Sequence, residues 1–366
     1  MKNKKIRILG IRGVPSAHGG FETFAEYLSL YLFQRGWDVT VYCQEVGDYP
    51  ISEDYWRGIR RVRIPVKQES AFGTIIFDWL STLHAIKEQG LVLTLGYNTA
   101  IFCILYRLKG IKNIINMDGI EWKRDKWSKF AKTWFWINER LACWIASHLI
   151  ADNPGIATHL ATRVSSDKIS MIAYGSEFVD TADSDVLIEF GVKPGEYLTL
   201  IARIEPENSV LEIVRAFSRC PRGKKLLVLG KFESTNPYHK AILDAASDEV
   251  SFVGAIYDKA IVQALRYYSA LYLHGHTAGG SNPSLIEALG CGNPVLAHDN
   301  QFNRWVTDNK SQYFVDEKSC DEQLEKLLND LELQASMSDA SRIRHGIAFT
   351  WNQILEDYEE LLIKWC

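Results

Sequence analysis

A glycine-rich turn running into a capped helix constrains this chain more than any other feature: residues 275–297 read GHTAGGSNPSLIEALGCGNPVLA. Gly279 and Gly280 let the backbone approach an anion closely, Asn282 is a good N-cap, and Pro283 suits the first helical position, where no amide hydrogen is needed. The amides of Gly280–Ser284 and the positive end of the helix dipole then face a ligand. Glu287, one turn inside, is too negative to hold phosphates but can accept hydrogen bonds from sugar hydroxyls. A nucleotide satisfies both halves of the motif.

Such a turn needs a sheet behind it, and the composition permits one. With 366 residues and 47% hydrophobic content the chain can bury a large core, and its length favours two domains. A formal charge of −4 gives no general attraction to nucleic acid, so no nucleic-acid partner is expected. Seven cysteines without a CxxC pair point to reduced cytosolic thiols and away from a zinc site. Lys2, Lys4 and Lys5 precede a short strand pattern broken by Gly10 and Gly13, unlike a signal peptide, and no apolar run reaches the length of a membrane span.

Strand and helix patterns alternate, which predicts parallel sheets with helices on both faces. KIRILGI at 5–11 reads as a buried strand. A turn follows, then a helix whose apolar stripe is Phe21, Phe24, Leu28, Tyr31 and Leu32. WDVTVYC at 37–43, LVLTLG at 91–96, IKNIINMD at 111–118 and ASHLIAD at 146–152 continue the series. A polar, strand-poor stretch at 176–195 reads as a connection. The pattern restarts with EYLTLIARI at 196–204, KKLLVLG at 224–230, SFVGAI at 251–256, ALYLHG at 270–275 and NPVLAHD at 293–299. The expected fold is α/β: two doubly wound parallel-sheet domains facing across a cleft. Ligands of such folds bind at the carboxyl ends of the strands, where RGVPSAHGG, NMDG, LIARIEPEN and HGHTAGGSNPS all fall.

The loop Arg12–Gly20 sits where a dinucleotide fingerprint would, but its spacing differs. Five residues, Val14 to His18, separate Gly13 from the Gly19–Gly20 pair, so NAD loses its main support. Gly19 and Gly20 can still present amides at the start of the next helix.

GIRGVPSAHGGFETFAEYL at 10–28, NMDGIEWKRDKWS at 116–128, ARIEPEN at 202–208 and GGSNPSLIEALGCGNPVLA at 279–297 resemble the rhamnosyltransferase branch of retaining glycosyltransferase family 4. The resemblance spans nearly the whole chain. It implies a GT-B fold: an acceptor-binding Rossmann-like domain at 1–178, a nucleotide-sugar-binding one at 179–349, and a last helix, 350–366, packed back onto the first domain. It also implies transfer without a metal or other cofactor, with rhamnose from dTDP-rhamnose as the donor sugar. The acceptor would be a polyprenyl-diphosphate-linked saccharide at the inner face of a bacterial membrane.

Departures from the wider family pattern matter as much. Glu287 occupies the second of two glutamates spaced eight positions apart, but the first falls on Gly279. A carboxylate that elsewhere contacts the donor sugar is missing. A lysine that often follows the arginine of the ARIEPEN-type loop is also absent. Lys231, after LLVLG, is a candidate second cation. Asp118 stands where many relatives carry a histidine that meets the donor's sixth-carbon hydroxyl, a group rhamnose lacks.

The chemistry requires a neutralised nucleoside diphosphate, a route for the acceptor proton, and exclusion of water from an oxocarbenium-like centre. No DxD triplet is present. The candidate donor set is Gly19, Gly20, Arg203, Lys231, Gly279, Gly280, Ser281, Asn282, Pro283, Ser284, Leu285 and Glu287. Arg203 and the turn amides take the diphosphate and Glu287 the ribose. The candidate catalytic residues are Asp118, Arg203 and His18, with His276 a further orienting group. In the mechanism the resemblance implies, the leaving phosphate takes the acceptor proton and no protein nucleophile is required. Asp118 is equally explained as a turn residue before Gly119, and the histidines as structural groups.

Residues 121–148 interleave Trp122, Trp127, Trp134, Trp136 and Trp144 with Lys123, Arg124, Lys126, Lys129 and Lys132. Such a segment suits peripheral contact with an anionic membrane surface, and equally a core helix with one solvated basic face. Three other readings stay open: a nucleotide-sugar-binding protein without turnover, an epimerase or phosphorylase of the same fold, and a transferase using another UDP-, GDP- or dTDP-sugar.

Overall fold

The computed structural model describes residues 4–16, 19–124 and 126–366. They form two compact units. Unit 1 comprises residues up to Lys123, Trp127–Ala173 and Trp351–Cys366; unit 2 comprises Arg124–Lys126 and Tyr174–Thr350.

Unit 1 contains β1 (Lys5–Leu9), β2 (Asp38–Val46), β3 (Ser52–Trp56), β4 (Ile59–Val66), β5 (Leu91–Leu95), β6 (Asn113–Asn116), β7 (His148–Ala151) and β8 (Ile169–Met171). Its helices are α1 (Gly20–Gln34), α2 (Ala71–Ala85), α3 (Ile104–Leu108), α4 (Lys129–Ile145) and α5 (Pro154–Ala161). The strands lie in the order β3-β4-β2-β1-β5-β6-β7-β8. Fully buried Ile6, Ile8, Val41, Leu93, Ile114 and Leu149 give the short strands their continuous apolar character, as expected of a parallel sheet covered on both faces. Arg7 is the exception inside β1. Its guanidinium is buried and donates to the carbonyls of Ala85, Glu88 and Gly90, so it caps the carboxyl end of α2.

The sheet of unit 1 is parallel as expected except at one edge, where β3 runs antiparallel to β4. Neither strand was anticipated, because ISEDYWRGIRRVRIPV is too charged to read as sheet. Its arginines are answered by carboxylates on neighbouring strands. Arg60 donates to Glu53 at 2.8 and 2.6 Å, Arg61 to Asp54 at 2.8 and 2.6 Å, and Arg63 pairs with Glu45. Ile59, Val62, Ile64 and Val66 turn inward.

Unit 2 contains β9 (Tyr197–Ile201), β10 (Lys225–Leu229), β11 (Val250–Gly254), β12 (Leu271–His274), β13 (Val295–His298) and β14 (Gln312–Phe314), ordered β11-β10-β9-β12-β13-β14 and all parallel. Its helices are α6 (Val210–Phe217), α7 (Pro237–Ala245), α8 (Lys259–Tyr267), α9 (Pro283–Gly290), α10 (Gln301–Val306), α11 (Glu317–Asn329) and α12 (Leu331–Ala348). One core gathers Leu198, Leu200, Ile213, Phe217, Val228, Leu273 and Leu296. The final helix, α13 (Trp351–Ile363), belongs to unit 1. There Trp351 stacks on Tyr27 with centroids 4.4 Å apart, and Tyr358 accepts a hydrogen bond from Asn116 at 2.7 Å.

Both sheets have a switch point where the strand order reverses: beside β1 in unit 1, between β2 and β5, and beside β9 in unit 2, between β10 and β12. Ligands of doubly wound sheets bind outside the carboxyl ends of strands at such points.

Candidate functional site

In unit 2 the loops leaving β9 and β12 are tied together residue by residue. Thr277 donates through its amide (2.9 Å) and hydroxyl (3.0 Å) to the Glu207 carbonyl, and a Cβ on Gly275 would lie 2.0 Å from the Asn208 carbonyl. Only glycine tolerates that approach. Asn208 Nδ2 donates to the Arg203 carbonyl at 2.7 Å, so its Oδ1 is the acceptor facing His276 Nδ1 at 2.8 Å. His276 therefore carries its proton on Nδ1, and Nε2 is left as an acceptor. Asn300, the N-cap of α10, and Asn303 within that helix both donate to the His276 carbonyl at 2.9 Å.

Burial, together with nearby His274, Arg124, Arg203 and Lys126, holds His276 well below its ordinary pKa. Burial also pushes His274 down to about 3. Both rings are neutral at physiological pH, which suits His276 to orienting a hydroxyl rather than to pairing with phosphate.

The turn leads into α9 as its sequence requires. Asn282 accepts the Ser284 amide at 2.9 Å and Pro283 fills the first helical position. This cap alters the expected donor set. The Ser284 amide is taken by the Asn282 side chain, and the Leu285 amide bonds the Asn282 carbonyl at 3.1 Å with the side chain fully buried. What remains of the expected amide set is the turn ahead of the helix, Gly279 to Asn282, in which Gly279 supplies a left-handed corner with φ 105°.

Glu287 is more constrained than a surface helix carboxylate. Arg266 Nη2 lies 2.6 Å from its Oε2 and donates to Ser284 Oγ at 2.9 Å, while Tyr272 OH meets the same Oγ at 2.7 Å. The Glu287 side chain remains 35% exposed, so one face still accepts hydrogen bonds from a ligand. Arg266 is the main residue that reading the sequence missed. It sits near the end of α8 in a pattern that reads as an ordinary amphipathic helix, and its inward aim depends on β12 and α9.

Arg203 is exposed at the end of β9. Lys231 is three-quarters exposed, with its ion-pair partner Glu233 at 3.9 Å. Arg124 and Lys126, read from sequence only as part of a basic aromatic segment, lie instead in unit 2 beside Glu207.

In unit 1, Asp118 follows β6 with φ 43°, a left-handed conformation uncommon outside glycine. Its amide bonds Asn116 Oδ1 at 2.9 Å, an Asx turn that holds the strained residue in place. Gly19 caps α1 with φ 108° and Gly20 begins it. The preceding loop is bound by carboxylates of that helix: Glu22 accepts the Arg12 amide at 3.3 Å and Glu26 the Ser16 amide at 2.6 Å. The amides of Arg12 and Ser16 are thereby taken within unit 1. His18 lies outside the described residues.

The tryptophans of 121–148 divide. Trp122 donates to Glu139 at 2.8 Å, Trp134 to the Asn98 carbonyl at 2.8 Å, and Trp127 packs on Phe135. Trp136 and Trp144 are exposed on α4 with Phe130 and Ile137, and Phe72, Ile76 and Trp79 form a second exposed stripe on α2. Trp79 meets Phe102 at 5.1 Å, and the Ile101 amide donates to the buried Asn138 of α4 at 2.9 Å. Among the described residues no helix is long and apolar enough to cross a membrane.

Residues 190–344 match the family described as glycosyl transferases group 1. Unit 2 carries a glycosyltransferase domain. Residues 3–177 match a domain of unknown function, DUF1972. No curated protein matches the sequence. Among solved structures the chain is similar to sucrose-phosphate synthase from Thermosynechococcus elongatus, at 17% identity, TM-score 0.80 and 99% coverage of both chains. It is also similar to Anabaena HepE in complex with UDP and glucose, at 16% identity and TM-score 0.79, covering 99% of this chain and 100% of that one. The trehalose 6-phosphate synthase of Burkholderia multivorans is more distant, at 9% identity and TM-score 0.74, covering 100% of this chain and 99% of that one. The fold is GT-B, and with the family match it supports a glycosyltransferase.

Proposed function

We propose that the protein is a retaining, metal-independent glycosyltransferase whose unit 2 holds a nucleotide-sugar donor and whose unit 1 holds a saccharide acceptor. The observation that carries this reading is the Gly279–Asn282 turn set over the Glu287–Arg266 pair at the β9/β12 switch point. The turn and Arg203 take the diphosphate, and the outward side of Glu287 takes the ribose. That HepE has been solved with UDP-glucose supports a nucleotide sugar as the ligand class.

The resemblance of the sequence to rhamnosyltransferases supports dTDP-L-rhamnose as donor and a polyprenyl-diphosphate-linked saccharide as acceptor. Asp118, held at φ 43° beside β6, is then the unit 1 group assigned to the sugar and acceptor. The leaving phosphate receives the acceptor proton, and His276 Nε2 orients a donor hydroxyl. The exposed stripe of α4, where Arg140 lies over Trp136 at 4.1 Å and Arg107 over Trp144 at 5.1 Å, supports peripheral contact with an anionic membrane.

A donor screen with dTDP-, UDP- and GDP-sugars and a lipid-linked acceptor tests the reading. Transfer by the wild type, lost tenfold or more in Glu287→Ala and Arg203→Ala, is expected on the order-of-magnitude scale of one charge-assisted hydrogen bond. Saturable binding without transfer would make the protein a binding module, and unimpaired turnover in both variants would displace the site.

A further inference from the structure

A diphosphate site needs more positive charge than the residues assigned so far supply. Arg203 is a single cation, and Lys231 stands exposed in a pair with Glu233. A nucleoside diphosphate leaving a glycosidic carbon carries more than one negative charge, and in the absence of further cations its departure is slow.

A second source of charge lies in the segment Arg124–Lys126. Its flanks, up to Lys123 and from Trp127, belong to unit 1, yet its own contacts place it in unit 2. Arg124 Nε lies 3.8 Å and Lys126 Nζ 3.6 Å from Glu207 Oε1. Glu207 is only 7% exposed, and neither of its oxygens accepts a hydrogen bond. It meets both side chains by charge at ion-pair range.

Glu207 is also the residue whose carbonyl ties the β9 loop to Thr277. The segment is therefore anchored on the turn itself. A Cβ on Gly279 would lie 3.5 Å from Arg124 Nη2 and 3.4 Å from His276 Nε2. Arg124, Lys126 and Arg203, drawn from separate stretches of sequence, all act on the His276 ring, and its neutrality leaves the cationic work to them.

We propose that Arg124, supported by Lys126, is the second cation that a nucleoside diphosphate engages at the Gly279–Asn282 turn, opposite Arg203, with Glu207 as the arm that holds it there. The inference rests on the reading of this turn as the diphosphate site. It gives the missing side chain at position 279 a role: its absence leaves room for a guanidinium where the wider family pattern has a carboxylate. A planar fork matches two phosphate oxygens, which a lysine ammonium does not.

Calorimetric titration of the full chain with dTDP and UDP, and with thymidine and uridine, tests the proposal. Arg124→Met should weaken the diphosphates by about ten- to a hundredfold, the range for hydrogen bonds to charged groups, while changing nucleoside affinity less than about twofold. Arg124→Lys should recover part of the loss. Glu207→Gln, which frees the segment, should fall between wild type and Arg124→Met. Melting temperature is read in parallel, and Lys126→Met carries the test should Arg124→Met fail to fold. If Arg203→Ala and Glu287→Ala weaken diphosphate binding but Arg124→Met and Lys126→Met do not, the segment is a structural ion pair and the inference is overturned. If the wild type binds no nucleoside diphosphate, the reading of the turn falls with it.

Discussion

Arg266 and Glu287 meet at 2.6 Å, and the arginine that neutralises this carboxylate is itself buried. Removing the arginine leaves Glu287 without its counter-charge and Ser284 Oγ with Tyr272 in place of two partners. Arg266→Met should cost about 3 kcal/mol in chemical denaturation, and Glu287→Gln about 1–2 kcal/mol because that side chain is partly solvated. Measured as a double-mutant cycle, the pair should show a coupling of about 1–3 kcal/mol. Additive losses would mean that the two groups do not act as a pair.

Gly279 tests whether the empty position is a requirement or an accident. At φ 105° any side chain is strained, so Gly279→Ala should lose about 1–2 kcal/mol of stability. Gly279→Glu restores the carboxylate of the wider family pattern but sets it against Arg124 and His276. Nucleoside diphosphate affinity should fall by at least tenfold, on the scale of one lost charge-assisted contact. Unchanged affinity in Gly279→Glu would remove the turn from the phosphate site.

Asp118 combines a chemical candidate with a backbone constraint, and two substitutions separate them. Asparagine tolerates the left-handed conformation and glycine relieves it altogether, while both remove the charge. If the carboxylate acts on sugar or acceptor, both variants should lose about a hundredfold or more in kcat, in the range for a positioned acid or base, with donor affinity intact. Activity retained in Asp118→Asn would make the residue a turn former only.

Asp78 on α2 accepts a hydrogen bond from Thr99 at 2.8 Å, yet desolvation pushes its carboxyl up to about 7. In the unfolded chain the group titrates near its ordinary value of about 4. Between those values the folded form keeps a proton that the unfolded form has lost. Stability from this group is therefore greatest below about pH 4, falls as pH rises to about 7, and is flat above. The full shift corresponds to roughly 4 kcal/mol, and about 2 kcal/mol is expected because the residue keeps some exposure. Asp78→Asn should remove the slope, so that its advantage over wild type grows between about pH 4 and 7. Parallel stability curves would contradict the assignment.

The parts of this site that depend on neighbours in sequence were legible: the Asn282 cap, Pro283, and the strand ends that carry Arg203 and Asp118. Their signals are local preferences for caps, turns and apolar runs. Arg266 and Arg124 were not legible as site residues, because what aims each of them is a partner far along the chain: Glu287 for one, Glu207 and the turn at 279 for the other. The β3–β4 edge was missed for the same reason. A strand whose charges are neutralised by carboxylates on adjacent strands reads, in one dimension, as a loop.

Helix α13 contributes Tyr358 and Trp351 to unit 1, where they meet Asn116 of β6 and Tyr27 of α1. Unit 1 is consequently unfinished until α13 has been made, whereas almost all of unit 2 is a single run, Tyr174–Thr350, made before that helix appears. On the ribosome unit 2 can complete its sheet while unit 1 still waits for α13. A nonsense codon near residue 350 would then spare one unit and leave the other exposing the surface that α13 covers.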